Sequence, residues 1–564
     1  MSDPKSEKVI TLPSGAEPSD TEGEIQPGTV VENVDQLKRH LGNRQIQLIA
    51  IGGSIGTALF VSIGGGLVKG GPGSLFLAYV IYCSLLGLVN NSMAEMAIFM
   101  PISGSFIRMA GKWVDDAFGF MAGWNFFLYE ATLIPFEISA LNLVLTFWSD
   151  NIPVGAICAA CIVSYGALNL FAVKYYGEAE FWLASGKVLL IGVVFSFAFI
   201  TMIGGSPQHD AYGFRYWNNP GSFAEYITTG TLGRFEGFLG ALWTAAFTIV
   251  GPEYLAMVAG EAKRPRVYLK AAFKTMYWRF AIFFMGGALC VGIVLPYNDA
   301  TLNNVLSGKS GGSGTAGASP YVIAMHNMGI TGLPHFTNAL LVSSIFSAGN
   351  ALTYCATRSL YGLALAGQAP RFLKKCTKAG IPVYCYLVTM IFPFLSFLAV
   401  SNGTSQVITW LVNLTEAAQM INYIVMSITY LFFFRALKAQ GIDRKSLPYV
   451  GWWQPYCGWI GLCGMVVTVT CYGYATFLPG YWDVGTFFSY YTMVLLAPIT
   501  FTGWKLVKRT KFVPASQADL VWDKPIIDAY EAALIDEPTG FWREVAAMLG
   551  LRKLMRLVKT KNQV

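Results

Sequence analysis

The chain has 564 residues, of which 54% are hydrophobic and only 13% are charged. Soluble globular domains carry about 25% charged residues, so this composition excludes a water-soluble protein and predicts a polytopic membrane protein. The net charge of +7 is explained by basic residues in the loops between apolar stretches and gives no reason to infer a nucleic-acid partner.

The first 37 residues differ from the rest of the chain. They are polar, rich in Pro, Gly, Ser and Glu, and contain no apolar core typical of a cleavable signal peptide. We expect residues 1–37 to form a disordered cytosolic tail, and we expect the first membrane span to direct insertion.

Twelve apolar stretches follow, each long enough to cross about 30 Å of hydrocarbon. They predict a transmembrane domain at residues 38–509 and leave residues 510–564 as a second cytosolic tail. The predicted spans are residues 46–68, 75–100, 118–148, 152–173, 181–203, 236–260, 279–296, 336–366, 381–401, 406–434, 453–477 and 485–507.

The first span contains the stretch AIGGSIGTALF at residues 50–60. Each glycine costs a helix interior about 0.8–1 kcal/mol relative to alanine, and unwound backbone is tolerated in a bilayer only where it is buried or lines a cavity. We therefore predict a break from Gly52 to Thr57. A packing seam of small residues between helices would explain the glycines but not the hydroxyl groups of Ser54 and Thr57.

Several spans carry ionisable side chains, which are functional candidates because a charge in hydrocarbon costs at least a few kcal/mol. Glu130 and Glu137 share one face of the third span, and neither can face lipid. Lys187 lies deep in the fifth span, where desolvation would let it release a proton, so it is a coupling site or a structural charge. Glu95 and Arg358, near the cytoplasmic ends of their spans, favour an inner gate or a structural pair. The set is Glu95, Glu130, Glu137, Lys187, Glu253, Arg358 and Glu416.

The sixth span contains Gly251-Pro252 within the stretch AAFTIVGPEYLAM. Proline removes a backbone donor and clashes with the preceding turn, so a second break is predicted here. Matching breaks in the first and sixth spans indicate two inverted five-helix repeats with a substrate site between them. Freed N–H groups at a helix start favour a carboxylate and freed carbonyl groups favour an ammonium group, so the pattern indicates an α-amino acid.

Basic residues in the loops indicate the orientation. The loops after the even-numbered spans carry most of them, whereas the opposite loops hold Lys69, Arg215, Arg234 and Lys309. The positive-inside rule therefore places both termini in the cytosol. The sequence has no phosphate-binding loop, metal-ligand cluster or nucleophile arrangement, so we expect no enzyme activity, cofactor or metal.

Longer stretches at intervals along the chain are typical of a known family. They are RHLGNRQIQLIAIGGSIGTALF, FMAGWNFFLYEATLIPFEISA, YYGEAEFWLASGKV, GFRYWNNPGSF, GEAKRPR, VLPYNDATL, SPYVIAMHNMGI, SAGNALTYCATRSLYGLALAGQAPRF and RALKAQGIDRKSLPY. Together they span residues 38–509 and resemble the fungal amino-acid permeases of the amino acid–polyamine–organocation superfamily. The resemblance implies a leucine-transporter-type fold of ten core helices and two extra helices, and a plasma-membrane transporter that imports amino acids by proton symport.

The resemblance also implies roles for individual residues. Those at the first break would bind the substrate α-carboxylate: Gly53, Ser54, Ile55, Gly56 and Thr57. Those at the second break would meet the α-amino group and close over the ligand: Phe247, Thr248, Ile249 and Gly251. Lys187 matches a lysine that replaces a bound cation in proton-coupled relatives. Glu137 and Glu253 match acidic positions that serve proton transfer or substrate gating.

Glu416, in WLVNLTEAAQ, stands where the resembled family usually has a small residue near the side-chain pocket. Its carboxylate would favour a cationic substrate or, equally, pair with a basic residue of the protein. A polyamine or carnitine carrier is therefore an alternative function on the same fold. A nutrient sensor that does not transport its ligand is another.

The C-terminal stretch FWREVAAMLGLRKLMRLVKT at residues 541–560 mixes apolar and basic positions. This pattern predicts an amphipathic helix against the inner leaflet or the cytosolic face of the protein. In the resembled family, lysines in the tails serve ubiquitin-driven endocytosis. Lys5 and Lys8 therefore make ubiquitin ligase adaptors expected partners, besides the amino acid, the proton and the lipid bilayer.

Overall fold

The computed structural model of the protein describes residues 39, 41–149, 151–171, 173–306, 319–377, 381–402, 404–534, 540–541 and 543–544. Within them the regular structure is helical, apart from one isolated parallel β-bridge between Leu41 and Ala262. The predicted tail at 1–37 and most of the predicted amphipathic helix at 541–560 lie outside the described residues.

The α-helices of the described residues are numbered here in chain order. The first ten are α1 (Asn43–Ser54), α2 (Ile63–Phe99), α3 (Ser105–Trp113), α4 (Asp116–Leu145), α5 (Val154–Phe171), α6 (Val173–Met202), α7 (Gly230–Thr248), α8 (Pro252–Met257), α9 (Pro265–Arg279) and α10 (Gly286–Val294). The remainder are α11 (Ala300–Leu306), α12 (Pro320–Asn327), α13 (Leu333–Leu365), α14 (Val383–Thr389), α15 (Leu398–Asn402), α16 (Thr404–Ala439), α17 (Tyr456–Cys471), α18 (Val484–Lys508) and α19 (Lys524–Ala532).

The predicted spans fall on helices. Ten segments of the described chain are long and apolar enough to cross a membrane. One of them, Ala58–Phe99, contains parts of two predicted spans, which separate where the backbone kinks at Gly71 (φ 75°), just before Pro72. The predicted span at 152–173 is the shorter apolar helix Val154–Leu170. The all-α polytopic fold is therefore confirmed.

The seventh span begins earlier than the sequence predicted. It was expected at residues 279–296, whereas the helical segment runs over Pro265–Val294. Leu269, Phe273 and Met276 are buried on one face of α9, and Lys274 is exposed on another. The predicted boundary was wrong because basic residues do not end a helix when they occupy the polar face of an amphipathic pattern.

The centre of the bundle is formed by α4, which packs against both α13 and α16. The apolar residues of α4 are distributed around the whole helix, as expected for a helix buried in a core, and most residues of α4 are buried. The interrupted helices have different neighbours: α1 packs on α6 and α13, and α7 packs on α2. By contrast, α18 lies at the outside of the bundle, where Met493 is its buried residue.

The chain after α18 folds back over the face of the bundle where α1 begins. Trp522 lies under the Arg108 guanidinium, with 4.8 Å between the guanidinium carbon and the ring centroid. On α19, the Asp528 carboxylate forms an ion pair with the Arg266 guanidinium, with an N–O distance of 2.6 Å. Further along, Glu544 accepts a hydrogen bond from the backbone N–H of Arg44 at 2.8 Å. This segment therefore holds α1 and α9 from outside the membrane-spanning region.

Candidate functional site

The first break lies between α1 and α2. After α1 ends at Ser54, Ile55 is extended (φ −103°, ψ 94°), and Thr57 returns to helical geometry (φ −53°, ψ −37°) before a π-helical turn at Ala58–Ser62. Gly52, Gly53 and Ser54 belong to the last turn of α1, so the break is shorter than the predicted Gly52–Thr57. The first N–H groups of the new helix have no preceding turn to bond, so they need other acceptors.

The Glu137 carboxylate occupies the start of that new helix. It accepts a hydrogen bond from the Thr57 hydroxyl and lies near the Thr57 backbone N–H. Gly56 lies beside it, since a Cβ at this position would stand 3.4 Å from Glu137 Oε1. A side-chain carboxylate of the protein thus stands where the helix dipole favours an anion.

Lys187 completes this group from α6. Its side chain is fully buried and lies close enough to the Glu137 carboxylate to attract it electrostatically. A buried charge needs a partner of opposite sign to offset its desolvation. The structure thereby brings together Thr57, Glu137 and Lys187, which the sequence places in the first, third and fifth spans.

The second break lies between α7 and α8. After α7 ends at Thr248, Ile249 is extended (φ −94°, ψ 107°), and α8 begins at Pro252. Proline suits this first helical position because its missing N–H would have no intrahelical acceptor there. The Glu253 carboxylate accepts hydrogen bonds from the Gly251 N–H at 3.2 Å and from the Tyr423 hydroxyl at 2.8 Å.

The freed carbonyl groups of α7 contact a residue that the sequence analysis missed. Gln419, on α16, donates its amide to the Ala246 carbonyl at 2.7 Å and to the Ile249 carbonyl at 3.3 Å. Tyr423 lies one turn further along the same helix face. The sequence signal for this role was a pair of polar side chains, Gln419 and Tyr423, four residues apart in an apolar span. The sequence could not identify their partners at the second break, because those contacts depend on helix packing.

A small cavity separates the two breaks. It has a volume of about 40 Å³. Residues of both breaks, of α4 and of α13 line it, including Gly56, Glu137, Phe247, Thr248 and Leu352. That volume holds about one water molecule and is too small for an amino acid. The Phe247 ring packs edge-on against Phe136, with 5.2 Å between the centroids, so the site is closed in this conformation.

Glu130 is a further buried acid next to the site. It lies on α4 with no solvent exposure, and neither carboxylate oxygen has a hydrogen-bond partner among the described residues. Its carboxylate is close enough to Glu253 for the two acids to interact. Two acidic side chains therefore meet behind the second break.

Glu416 lies on the same face of α16 as Gln419, three residues earlier, and does not line the cavity between the breaks. The carboxylate is buried and interacts electrostatically with Lys69. Lys69 was expected in an outward loop, but it lies on α2, where its ammonium is 5.7 Å from the centroid of the Tyr226 ring. Lys69 is thus a basic residue within electrostatic range of Glu416, and the choice between the two roles of Glu416 stays a prediction.

Glu95 and Arg358 lie towards the face that carries both ends of the described chain. Glu95 forms a two-fold ion pair with Arg444, with N–O distances of 3.0 and 2.8 Å. Arg358 pairs with Glu261 at 3.4 Å. Each residue thus has a partner from another part of the chain, and they do not pair with each other.

Comparisons with known proteins agree with this architecture. A sequence model of the amino acid permease family matches residues 45–516. The general amino acid permease AGP2 of Saccharomyces cerevisiae is 44% identical over 483 residues, which are 84% of this chain and 80% of the relative. The proline-specific permease of Emericella nidulans is 36% identical, covering 91% of this chain and 92% of the relative. The lysine/arginine permease CAN1 of Candida albicans is 34% identical, covering 85% and 82%.

Proposed function

Because this chain belongs to the amino acid permease family, we propose that it is a secondary transporter that imports amino acids by proton symport. The observation that carries the proposal is the meeting of two helix breaks around a cavity with Glu137 at one end. We place the protein in the plasma membrane, with both termini in the cytosol. This orientation rests on the distribution of basic residues in the loops.

The substrate is an α-amino acid held by backbone groups at both breaks. Its carboxylate takes the place of the Glu137 carboxylate at the start of the helix that begins at Thr57, where N–H groups and the helix dipole favour an anion. Its ammonium group lies against the carbonyl groups of Ala246 and Ile249, which Gln419 holds in position. The cavity must expand for this, so Phe247 moves away from Phe136.

Proton coupling follows from the competition between Glu137 and the substrate. An ionised Glu137 is an internal ligand for Thr57 and excludes the substrate carboxylate. Protonation removes its charge and weakens its hydrogen bonds, because bonds to a charged acceptor are about twice as strong as neutral ones. The proton and the amino acid therefore bind together, and Lys187 supplies the positive charge near the incoming carboxylate.

The membrane potential makes this coupling useful for uptake. One charge moved inward gains about 2.3 kcal/mol per 100 mV, which corresponds to about a fiftyfold accumulation of a neutral amino acid.

Alternating access then requires one side of the closed site to open at a time. Lys69 and Glu416, which interact electrostatically, would move apart on the outward side, and the Glu95–Arg444 and Arg358–Glu261 ion pairs would separate on the cytosolic side.

An organic-cation carrier of the polyamine or carnitine type is the second candidate function. The observation that favours it is Glu130, a buried carboxyl group without a hydrogen-bond partner among the described residues. A polyamine has a second positive charge that would satisfy this group, whereas carnitine has only one positive charge. A neutral amino acid would not satisfy this group.

Uptake measurements in cells that lack their own permeases test both candidates. Radiolabelled acidic, neutral and basic amino acids, polyamines and carnitine are compared at several external pH values, with and without a protonophore. We expect accumulation of an amino acid that rises as the external pH falls and disappears with the protonophore. Accumulation confined to polyamines or carnitine would favour the second candidate, and binding without accumulation would indicate a sensor.

A further inference from the structure

The outer surface of the bundle carries an apolar groove between α4, α16 and α18. Its volume is about 380 Å³, and every residue that lines it is apolar, including Met121 on α4, Ile421 on α16 and Ala497 on α18. It shares no lining residue with the small cavity between the helix breaks. The groove is therefore a separate feature that faces lipid.

The length of the groove matches one leaflet of the membrane. On α16 its lining runs from Ile421 to Phe432, which is about 17 Å at about 1.5 Å per residue. Half of a hydrocarbon core of about 30 Å is about 15 Å. The groove therefore starts near the middle of the bilayer and ends at the surface that carries the C-terminal segment.

The shape of the groove indicates what can fill it. A volume of 380 Å³ accommodates on the order of a dozen methylene groups, if each takes up about as much space as a water molecule. A helix of the same length is about 10 Å wide and needs on the order of 1,000 Å³. A single acyl chain therefore fits inside the groove, whereas a whole helix does not.

Basic side chains surround the end of the groove at the membrane surface. The Arg435 guanidinium lies 5.9 Å from the ring centroid of Phe432, a lining residue. The Lys505 ammonium lies 4.1 Å from the ring centroid of Phe512, another lining residue, and its charge is paired with Asp115. Arg435 and the nearby Lys511 are exposed, and no described carboxylate forms an ion pair with them.

We propose that this groove binds an anionic phospholipid, with one acyl chain between α4, α16 and α18 and the headgroup against Arg435 and Lys511. The apolar lining, the one-leaflet length and the uncompensated positive charge at the surface end together fit this class of ligand. Clusters of basic residues at the cytosolic ends of spans attract anionic headgroups in this way. Under the orientation proposed above, the lipid comes from the cytosolic leaflet.

Photo-crosslinking of the purified full-length chain in nanodiscs tests the proposal, and it needs neither transport activity nor a defined orientation. The probes are phosphatidylserine and phosphatidylcholine that carry the same photoactivatable group on one acyl chain. We expect phosphatidylserine to label peptides that contain residues 421–432 and 497–512 in preference to phosphatidylcholine. Equal labelling by the two lipids, or crosslinks to a second copy of the chain in place of lipid, would overturn the proposal.

Variants at the groove sharpen this test. Arg435→Gln and Lys511→Gln should each reduce the preference for phosphatidylserine about fivefold, and the double variant about thirtyfold, as expected for basic side chains at an anionic surface. Lys270→Gln/Lys274→Gln on α9 is the matched control and should leave the preference unchanged. Ala497→Phe should block labelling by either lipid at these peptides. A preference for phosphatidylserine that persists unchanged in the Gln variants, which alter exposed side chains only, would show that the headgroup site is wrong.

Discussion

At the scale of single residues, Glu137 shows how an acidic side chain is kept inside a membrane protein. It lies beside a cation, Lys187, and accepts a hydrogen bond from the Thr57 hydroxyl. Burial of a charge is tolerated when pairing and hydrogen bonds are provided together. Glu130, two turns of α4 before Glu137, lacks such partners among the described residues. The two acids on one helix face therefore have different environments and different proposed roles.

Replacing Glu137 by Gln should separate binding from coupling. Glutamine keeps the size of the side chain but cannot act as a charged competitor at Thr57, so we expect substrate binding at pH 7.5 to strengthen about tenfold, since hydrogen bonds to charged groups are worth about 1.5–3 kcal/mol. Binding should also lose its dependence on pH, and accumulation should be lost. Equilibrium binding and uptake by the same preparation measure this. Glu225→Gln, at an exposed position, is the control, and a Glu137→Gln protein that still accumulates substrate would contradict the coupling role.

Replacing Lys187 by Met should abolish proton-driven accumulation but leave exchange of internal for external substrate. The reason is that Glu137 loses the positive charge that stabilises its ionised form, so it would stay protonated throughout the cycle. We expect the accumulation ratio at 100 mV to fall from about fiftyfold to about one, as measured in proteoliposomes. Lys274→Met, at an exposed position on α9, should transport normally. Unchanged accumulation by Lys187→Met would remove Lys187 from the coupling mechanism.

Exchanging the charges of Lys69 and Glu416 tests whether the two residues act as a pair. Lys69→Glu places two acids together and Glu416→Lys places two cations together, so we expect each single variant to lower uptake about tenfold or more. Like charges repel each other more strongly in a buried environment than in water, because the local dielectric is lower. The double variant should recover most of the uptake, because it restores opposite charges. A double variant no better than the poorer single variant would show that the residues act independently.

At the scale of elements, the two breaks differ in what supports them. The helix start at Thr57 is satisfied by a carboxylate from α4, whereas the carbonyl groups at the end of α7 are partly satisfied by the Gln419 amide from α16. The Tyr423 hydroxyl, from the same face of α16, holds Glu253 at the start of α8. Helices α4 and α16 thus serve as the fixed frame against which the broken helices keep their shape.

Replacing Gln419 by Leu should weaken the second break. The Ala246 and Ile249 carbonyl groups would lose a buried donor, and each unsatisfied buried group costs about 1–3 kcal/mol, so we expect lower thermal stability and a higher KM for uptake. Scanning fluorimetry in detergent and uptake kinetics measure the two effects. Gln406→Leu makes the same change at an exposed position of α16 and should alter stability by less than about 0.5 kcal/mol. Equal effects of the two variants would mean that Gln419 does not support the break.

At the scale of the whole molecule, the segment after α18 connects parts of the bundle that must move if the site opens. It contacts the end of α3 through the Trp113 indole, which donates to the Asp519 carbonyl at 2.8 Å. It contacts α9 through the pairs of Arg266 with Asp528 and Glu531. Because these contacts join α1, α3 and α9 from outside the membrane, the segment restrains their relative movement.

The contact between α19 and α9 should depend on pH in a defined direction. Burial raises the pKa of Asp528, but hydrogen bonds from Arg266 and Lys524 outweigh this effect and hold the pKa below its ordinary value of 3.8. A lowered carboxyl pKa stabilises the folded contact above the ordinary value, and this contribution is lost as the pH falls through the folded value. We expect the protection factors of amide hydrogen–deuterium exchange in residues 524–534, which correct for the intrinsic effect of pH, to stay constant from neutral pH down to 3.8 and to fall below it. Arg266→Gln should already exchange faster at neutral pH, and equal protection in that variant would contradict the ion pair's role.

Much of this architecture could be predicted from the sequence, because it depends on local properties of the chain. Apolar length determined the spans, and Gly-rich and Gly-Pro stretches determined which spans are interrupted, since glycine and proline weaken a helix wherever they occur. Even so, the break in the first span is narrower than predicted, because Gly52 to Ser54 complete a turn of α1. Partners were decided by tertiary structure alone. Glu137 meets Thr57 and Lys187, and Gln419 meets α7, only because helices that are distant in sequence pack together, and no local pattern records that packing.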